Sequence, residues 1–190
     1  MTEKISILRI VESTTVDGPG LRTSIYCAGC INHCPGCHNR QSWDINSGTP
    51  TDIDHILQRI KDDDFSNVTF SGGDPMYQAL PFAELARRIK AETRKTIWCY
   101  SGYTFEEIMA DNDKRTLLQY LDVLVDGRYV QELRNTELLF RGSSNQRLID
   151  VQASLAEGKA ITYKYNPFPD FDEVLSVDEE CLSSRHTMSY

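Results

Sequence analysis

Segments with a two-residue hydrophobic period alternate along the chain with segments that have a helical period. The segment 21–27 alternates from side to side, which predicts a strand that follows a turn at 17–20. The segment 51–62 repeats its apolar residues at helical spacing, and Thr51 with Asp54 is typical of a helix capping pair. The predicted core-facing side chains of the strand are Leu21, Thr23, Ile25 and Cys27, and those of the helix are Ile53, Ile56, Leu57 and Ile60.

The same alternation continues toward the C-terminus. The segment 67–73 is rich in β-formers and closed by two glycines, and further strands are predicted at 95–102 and 122–127. A helical segment before the last of these strands begins at a capping box formed by Thr104 and Glu107. The apolar stripes of the intervening helices are Phe82, Leu85, Ala86 and Ile89 in one, and Leu117, Leu118 and Leu121 in the other.

Strands that alternate with helices at this spacing form βαβ units, so the predicted fold is α/β with a mainly parallel sheet, open or curved toward a barrel. One more helix, ended by Gly158, and a strand after it are predicted within 149–165. In such sheets the reactive site lies beyond the C-terminal ends of the strands. The segments predicted to meet there are 27–37, 71–74, 101–103 and 126–128.

Composition and charge narrow the class of protein. The chain has 190 residues, of which 40% are hydrophobic and 25% charged, and its formal charge is -8. Much of this charge lies near the C-terminus, so we predict one domain over 1–168 and an acidic, mobile tail over 169–190. No basic run is dense enough to follow a phosphate backbone, and no apolar run would form a membrane span or secretory signal. We therefore expect a cytoplasmic protein that binds neither nucleic acid nor membrane.

Six cysteines in a reducing compartment indicate metal or redox chemistry more often than disulfides. The four cysteines within 27–37 can form two alternative sets of ligands. Cys27-x2-Cys30 with Cys34-x2-Cys37 would give a closed four-thiolate site for zinc or an iron–sulfur cluster. In the second grouping, the ligands are Cys30-x3-Cys34-x2-Cys37. Cys27 would then not be a ligand, because it continues the core-facing side of the preceding strand. This second grouping is favoured, and three thiolates on a four-iron cluster leave one iron open for chemistry.

The three-cysteine spacing, with His38 directly after Cys37, resembles the motif of the radical S-adenosylmethionine enzymes. The DGPG turn at 17–20 and CHNRQSWD at 37–44 resemble the glycyl-radical-enzyme activases of that superfamily. Segments similar to the branch that activates anaerobic (class III) ribonucleotide reductase are SGGDP at 71–75, VLVDGRYV at 123–130 and RGSSNQR at 141–147. The resemblance implies a partial (β/α) barrel of the radical S-adenosylmethionine type, with its site at the C-terminal strand ends.

The resemblance also implies roles for individual residues. Cys30, Cys34 and Cys37 would be the catalytic metal ligands that hold a [4Fe-4S] cluster, and S-adenosylmethionine would chelate the fourth iron. Gly72 and Gly73 would belong to the methionine-binding loop, where the absence of side chains lets a ligand approach the backbone. The other implied cofactor contacts are Ser71 and Asp74 in that loop, Ser101 as a polar neighbour, Gly36, Cys37 and His38 near the adenine, and Asp126 with Arg128 as an acidic–basic pair.

The implied activity is reductive cleavage of S-adenosylmethionine to methionine and a 5′-deoxyadenosyl radical, which takes hydrogen from a glycine of a partner enzyme. The implied partners are the large subunit of anaerobic ribonucleotide reductase and a reduced flavodoxin or ferredoxin-type electron donor. Three alternatives stand beside this activating oxidoreductase: an activase of another glycyl-radical enzyme such as pyruvate formate-lyase, a zinc-stabilised protein-binding adapter, and an electron-transfer ferredoxin.

Overall fold

One open, seven-stranded sheet organises the chain in the computed structural model, which describes residues 3–166. The strands are β1 (Lys4–Thr14), β2 (Arg22–Cys27), β3 (Thr49–Asp52), β4 (Asn67–Gly72), β5 (Ile97–Tyr100), β6 (Val123–Asp126) and β7 (Arg147–Asp150). Their order is β3-β1-β2-β4-β5-β6-β7, and the central strands β2, β4, β5 and β6 are parallel. The flanking strands β1, β3 and β7 pair antiparallel. The predicted α/β class with a mainly parallel central sheet is confirmed, and the predicted acidic tail lies outside the described residues.

Five α-helices accompany the sheet within residues 3–166: α1 (Ile53–Asp62), α2 (Ala79–Glu92), α3 (Phe105–Met109), α4 (Asn112–Leu118) and α5 (Val151–Glu157). The apolar side chains of these helices are buried against one face of the sheet. There, Phe70 of β4 contacts Phe82 of α2, with ring centroids 4.8 Å apart. Because burial removes apolar surface from water, this layer is the main core of the domain. None of the helices within residues 3–166 has the length and apolar character to cross a membrane.

The hydrophobic cluster on the opposite face of the sheet is smaller than the main core, and a charged side chain is buried beside it. Trp98 of β5 packs edge-on against Phe140 and Tyr163, with ring centroids 5.3 and 5.6 Å away. Arg22 of β2 is buried on this face, where its guanidinium lies over the Trp98 ring and its Nε donates to Thr69 Oγ1 at 2.5 Å. Burial lowers the pKa of Arg22 to about 10.

Most of the predicted elements are confirmed, but two details at the starts of elements are wrong. Leu21 precedes β2 and is 43% exposed, so it does not share the buried face of that strand. Thr51 does not cap α1, because 49–52 forms strand β3, in which Thr51 pairs with Ile5 of β1. The helix begins at Ile53 after Asp52 instead.

Other differences concern elements near the ends of the domain. Strands β1, β3 and β7 are not predicted from the sequence. The strand predicted after Gly158 is reduced to a single bridge between Thr162 and Ile149. Gly158 ends α5 as expected, with a left-handed φ of +67° that glycine adopts without strain. The capping box of Thr104 and Glu107 at the start of α3 is also confirmed.

Candidate active site

The segment that carries the cysteines is a loop closed by the sheet. Strand β2 ends at Cys27 and β3 begins at Thr49, and both residues pair with Ile7 of β1. Within the loop, Gly29 N donates to Ser42 O at 2.7 Å, and the next residue donates to Trp43 O at 3.1 Å. The two arms of the cysteine loop therefore lie side by side, anchored at a common point of the sheet.

The turn after β4 crosses directly over this loop. Gly73 N donates to Cys27 O at 2.7 Å, and Asp74 N donates to Gly29 O at 2.8 Å. A Cβ on Gly72 would overlap the Cys27 backbone, and a Cβ on Gly73 would overlap the carbonyl oxygen of Gly29. The two glycines thus permit close contact between two loops of the protein, in addition to leaving backbone open at the strand end.

Asp74 joins three strand-end loops through its carboxylate, which is almost fully buried. Its Oδ2 accepts from Gly102 N at 2.9 Å and from Asn32 Nδ2 at 3.0 Å, and its Oδ1 accepts from Met76 N at 3.0 Å. Ser101 Oγ donates to both carboxylate oxygens, at 3.0 and 3.2 Å. The carboxylate therefore connects the cysteine loop, its own loop and the loop after β5.

Burial raises the pKa of Asp74 from 3.8 to about 6. The hydrogen bonds from Gly102, Met76 and Ser101 act in the opposite direction, because they stabilise the charged form. A carboxyl group in this position changes its charge at mildly acidic pH, where an exposed aspartate is already ionised.

The four predicted segments meet at one cleft of about 150 Å³ at the C-terminal ends of the central strands. Its lining residues are Cys30, Asn32, Cys34, Cys37, Ser71, Gly72, Gly73, Asp74, Tyr100, Ser101, Gly102, Gly127, Tyr129 and Gln146. A groove of about 500 Å³ between α1 and α2 is larger, but it is lined by no cysteine. We assign the functional site to the smaller cleft, because thiols, a buried carboxylate and four strand ends converge there.

The cysteines fall into two environments. Cys27 and Cys99 are completely buried in the main core, as predicted for small apolar side chains. Cys30, Cys34 and Cys37 are free thiols that are partly exposed and line the cleft. Asn39 N donates to Cys37 Sγ at 3.4 Å. This donor set fits an iron–sulfur cluster, since thiolates are its usual protein ligands. No group of three His, Cys, Asp or Glu side chains among residues 3–166 is arranged for a single metal ion.

The loop after β6 lies against the cysteine loop. The ring centroids of Tyr129 and His38 are 6.1 Å apart, and the side chain of Gln131 occupies the space where Gly36 would carry a Cβ. Burial raises the pKa of Cys34, and the backbone amide of Tyr129 opposes this increase. Gly36 and His38 therefore lie beside the cleft and not among its lining residues.

Asp126 forms its ion pair with Arg147 in this structure. The Asp126 carboxylate is buried and accepts from Arg147 Nε at 3.0 Å and from Phe105 N at 2.8 Å. Arg147 also donates to Glu106 Oε2 at 2.7 Å. Asp126 thereby holds the start of α3, whereas Arg128 is exposed and its charge lies near Cys34.

Six of the lining residues are not among the predicted site residues: Asn32, Tyr100, Gly102, Gly127, Tyr129 and Gln146. Tyr100 ends β5 and directly precedes Ser101, so its strand-end position is a signal that could have identified it. Asn32 lies between two candidate ligands, and its contact with Asp74 depends on how two loops meet. Tyr129 lies within the quoted segment VLVDGRYV, but nothing local indicates that it turns toward the cysteines.

Comparisons with known proteins agree with the chemistry of this site. The family model described as "4Fe-4S single cluster domain" matches residues 16–149. Three similar curated proteins each carry the name anaerobic ribonucleoside-triphosphate reductase-activating protein. That of Vibrio cholerae is 40% identical over 139 residues, covering 69% of this chain and 88% of the relative. That of Escherichia coli K12 is 39% identical over 139 residues, with shares of 69% and 89%. That of Enterobacteria phage T4 is 35% identical over 146 residues, with shares of 74% and 90%.

Proposed function

The chain belongs to the 4Fe-4S single cluster domain family and to the anaerobic ribonucleoside-triphosphate reductase-activating proteins, and we propose that it activates its reductase by radical S-adenosylmethionine chemistry. The partner would be the large subunit of the anaerobic ribonucleotide reductase, on which a glycyl radical is formed. The open sheet would be the core of a partial barrel of the radical S-adenosylmethionine type.

The observation that carries this proposal is the division of the four clustered cysteines. Three partly exposed thiols, on Cys30, Cys34 and Cys37, line the cleft, whereas the Cys27 thiol lies in the core. Three thiolates would hold a [4Fe-4S] cluster and leave one iron without a protein ligand. When bound, the cluster supplies the electron that cleaves the carbon–sulfur bond of S-adenosylmethionine.

The chain's own residues would bind and orient the sulfonium substrate. Ser71, Gly72 and Gly73 line the cleft, where the methionine part would lie. Asp74 and Ser101 keep the two strand-end loops at a fixed separation through their hydrogen bond. The adenine would lie near Gly36, Cys37 and His38, where the ring centroids of His38 and Tyr129 are 6.1 Å apart.

The loop after β6 would complete the electrostatics of the site. Arg128 places a positive charge near Cys34, where it favours the thiolate form required of a ligand. Asp126 would support the site indirectly, because its carboxylate accepts hydrogen bonds from Arg147 and from the backbone at the start of α3. We propose a reduced flavodoxin or ferredoxin-type protein as the electron donor.

A comparison of two cysteine variants tests the proposal. Reconstituted wild-type protein should contain about four iron and four sulfide per chain and cleave S-adenosylmethionine under reducing conditions. Cys34→Ala should lose this cleavage, because it removes a ligand at the cleft. Cys27→Ala is the matched control, since its thiol is completely buried, and it should keep both cluster and cleavage.

The second readout is the protein partner. Mixing the active protein with anaerobic ribonucleotide reductase should give a glycyl radical by electron paramagnetic resonance, and mixing it with pyruvate formate-lyase should not. Loss of the cluster in Cys27→Ala alone would contradict the ligand assignment. A colourless protein with one zinc would indicate an adapter. A cluster whose electron paramagnetic resonance signal does not change when S-adenosylmethionine is added would indicate a ferredoxin.

A further inference from the structure

The segment 141–146, here called the brace, binds the backbone of the β6 loop, defined as 127–131. Its side chains supply the contacts: Asn145 Nδ2 donates to Arg128 O at 2.8 Å, and Gln146 Nε2 donates to Gly127 O at 3.0 Å. Ser143 Oγ accepts from Val130 N at 3.2 Å. Three polar side chains of the brace thus fix the backbone of the β6 loop at Gly127, Arg128 and Val130.

The brace is itself internally held. Gln146 Oε1 accepts from Gly142 N at 2.9 Å and from Ser143 N at 3.2 Å, and Gln146 N donates to Ser143 O at 3.1 Å. Ser143 is completely buried and also forms a bridge with Arg134. Because its own turn is closed in this way, the brace can restrict the loop that it contacts.

The β6 loop in turn contacts the cysteine loop at several points. The centroid of the Tyr129 ring lies 6.1 Å from that of the His38 ring, and the Gln131 side chain fills the space above Gly36. Tyr129 Oη donates to Gln131 Oε1 at 2.9 Å, which joins these two contacts. Gly127, Tyr129 and Gln146 line the cleft together with Cys34. A shift of the β6 loop would therefore change the surroundings of the second cysteine.

We propose that the brace fixes the β6 loop against Cys34 and thereby sets the reduction potential of the bound cluster, with Ser143 and Asn145 as positioning residues. This inference rests on the proposed function. Reduction adds negative charge to a cluster, so an amide N–H toward a ligand sulfur and a nearby cation favour the reduced state. The β6 loop carries groups of these two kinds, the Tyr129 amide and the Arg128 guanidinium, and the brace holds this loop where it lines the cleft with Cys34.

The test is a potentiometric titration of the reconstituted full-length protein, followed by electron paramagnetic resonance. The double variant Ser143→Ala/Asn145→Ala removes two brace contacts without adding charge. We expect the equilibrium constant for one-electron reduction to fall about tenfold, which is a midpoint about 59 mV more negative. Gln152→Ala is the matched control, because its amide also donates to backbone carbonyls, of Gln119 and Leu121. Its midpoint should equal that of the wild type.

An unchanged or more positive midpoint in the double variant, with the iron content of the wild type, would overturn the inference. If the double variant does not retain iron, Asn145→Ala alone decides by the same criterion, since Asn145 is exposed and dispensable for packing. Failure of the proposed function would look different, because the wild-type protein would then lack a cluster or would not cleave S-adenosylmethionine.

Discussion

The buried carboxylate of Asp74 leads to a prediction about the pH dependence of stability. In Asp74→Asn the side chain keeps its shape but can no longer ionise. Both oxygens of a carboxyl group can accept a hydrogen bond whether it is neutral or ionised, whereas the nitrogen of an amide cannot. One of the donors around Asp74, such as Met76 N, therefore loses its acceptor in the variant. An unpaired buried donor costs about 1–3 kcal/mol, so the variant should be less stable than the wild type at about pH 4.

The free energy of unfolding should then change differently with pH in the two proteins. The pKa of Asp74 is raised from 3.8 to about 6, so the folded protein binds the proton more tightly than the unfolded chain does. As the pH rises through this interval, the wild type loses stability and the variant does not. Between about pH 4 and about pH 7.5 the loss amounts to about 2 kcal/mol, since one pH unit corresponds to about 1.4 kcal/mol. The deficit of the variant should shrink accordingly.

Urea denaturation of both proteins without iron, followed by circular dichroism at the two pH values, measures this difference. Glu84→Gln is a control of opposite sign, because a hydrogen bond from Arg87 lowers the pKa of Glu84. Its deficit should be present at the higher pH and lost as the pH falls below the normal range of glutamate. A deficit of Asp74→Asn that grows with pH would refute the reasoning, since it would mean that the folded state favours the carboxylate.

Two further predictions concern the support of the site. Gly73→Ala should lower iron retention severalfold, because the new Cβ would overlap the Gly29 carbonyl beside the ligands, whereas Gly20→Ala, with no atom within 4 Å, should retain its iron; equal iron contents would contradict this. Arg147→Met should lower the free energy of unfolding by about 3 kcal/mol in urea denaturation, because it leaves the buried Asp126 without its cation, and a loss below about 1 kcal/mol would contradict this.

The central strands and their helices follow from the sequence because their signals are local. The stripe of α2 and the capping box at α3 act within one or two turns of helix, and the structure has both. Strand β3 shows why local signals can fail. Thr51 and Asp54 have the spacing of a capping pair, but the distant segment β1 offers hydrogen-bond partners, so the backbone before Ile53 becomes a strand.

The candidate site divides in the same way. The cleft-lining cysteines are close in sequence, and the alternation of the strand assigns Cys27 to the core, so both features could be predicted. The sequence predicts Asp126 as a cofactor contact. Its hydrogen bond with Arg147 could not be predicted, because Arg147 lies on a neighbouring antiparallel strand that no local pattern indicates. The contact of Tyr129 with the cysteine loop could not be predicted either, because it joins two loops that are distant in sequence and come together only in the complete fold.

The anchoring of the cysteine loop at Ile7 has a consequence for how the protein acquires its metal. Strand pairing brings the two ends of the loop together. Folding of the sheet therefore offsets the entropic cost of closing the loop, and metal binding does not have to. Small zinc domains differ, because their chains unfold when the metal is removed. Here a chelator should strip the iron from a protein that stays folded, and a damaged cluster can be rebuilt in place without passing through the unfolded chain.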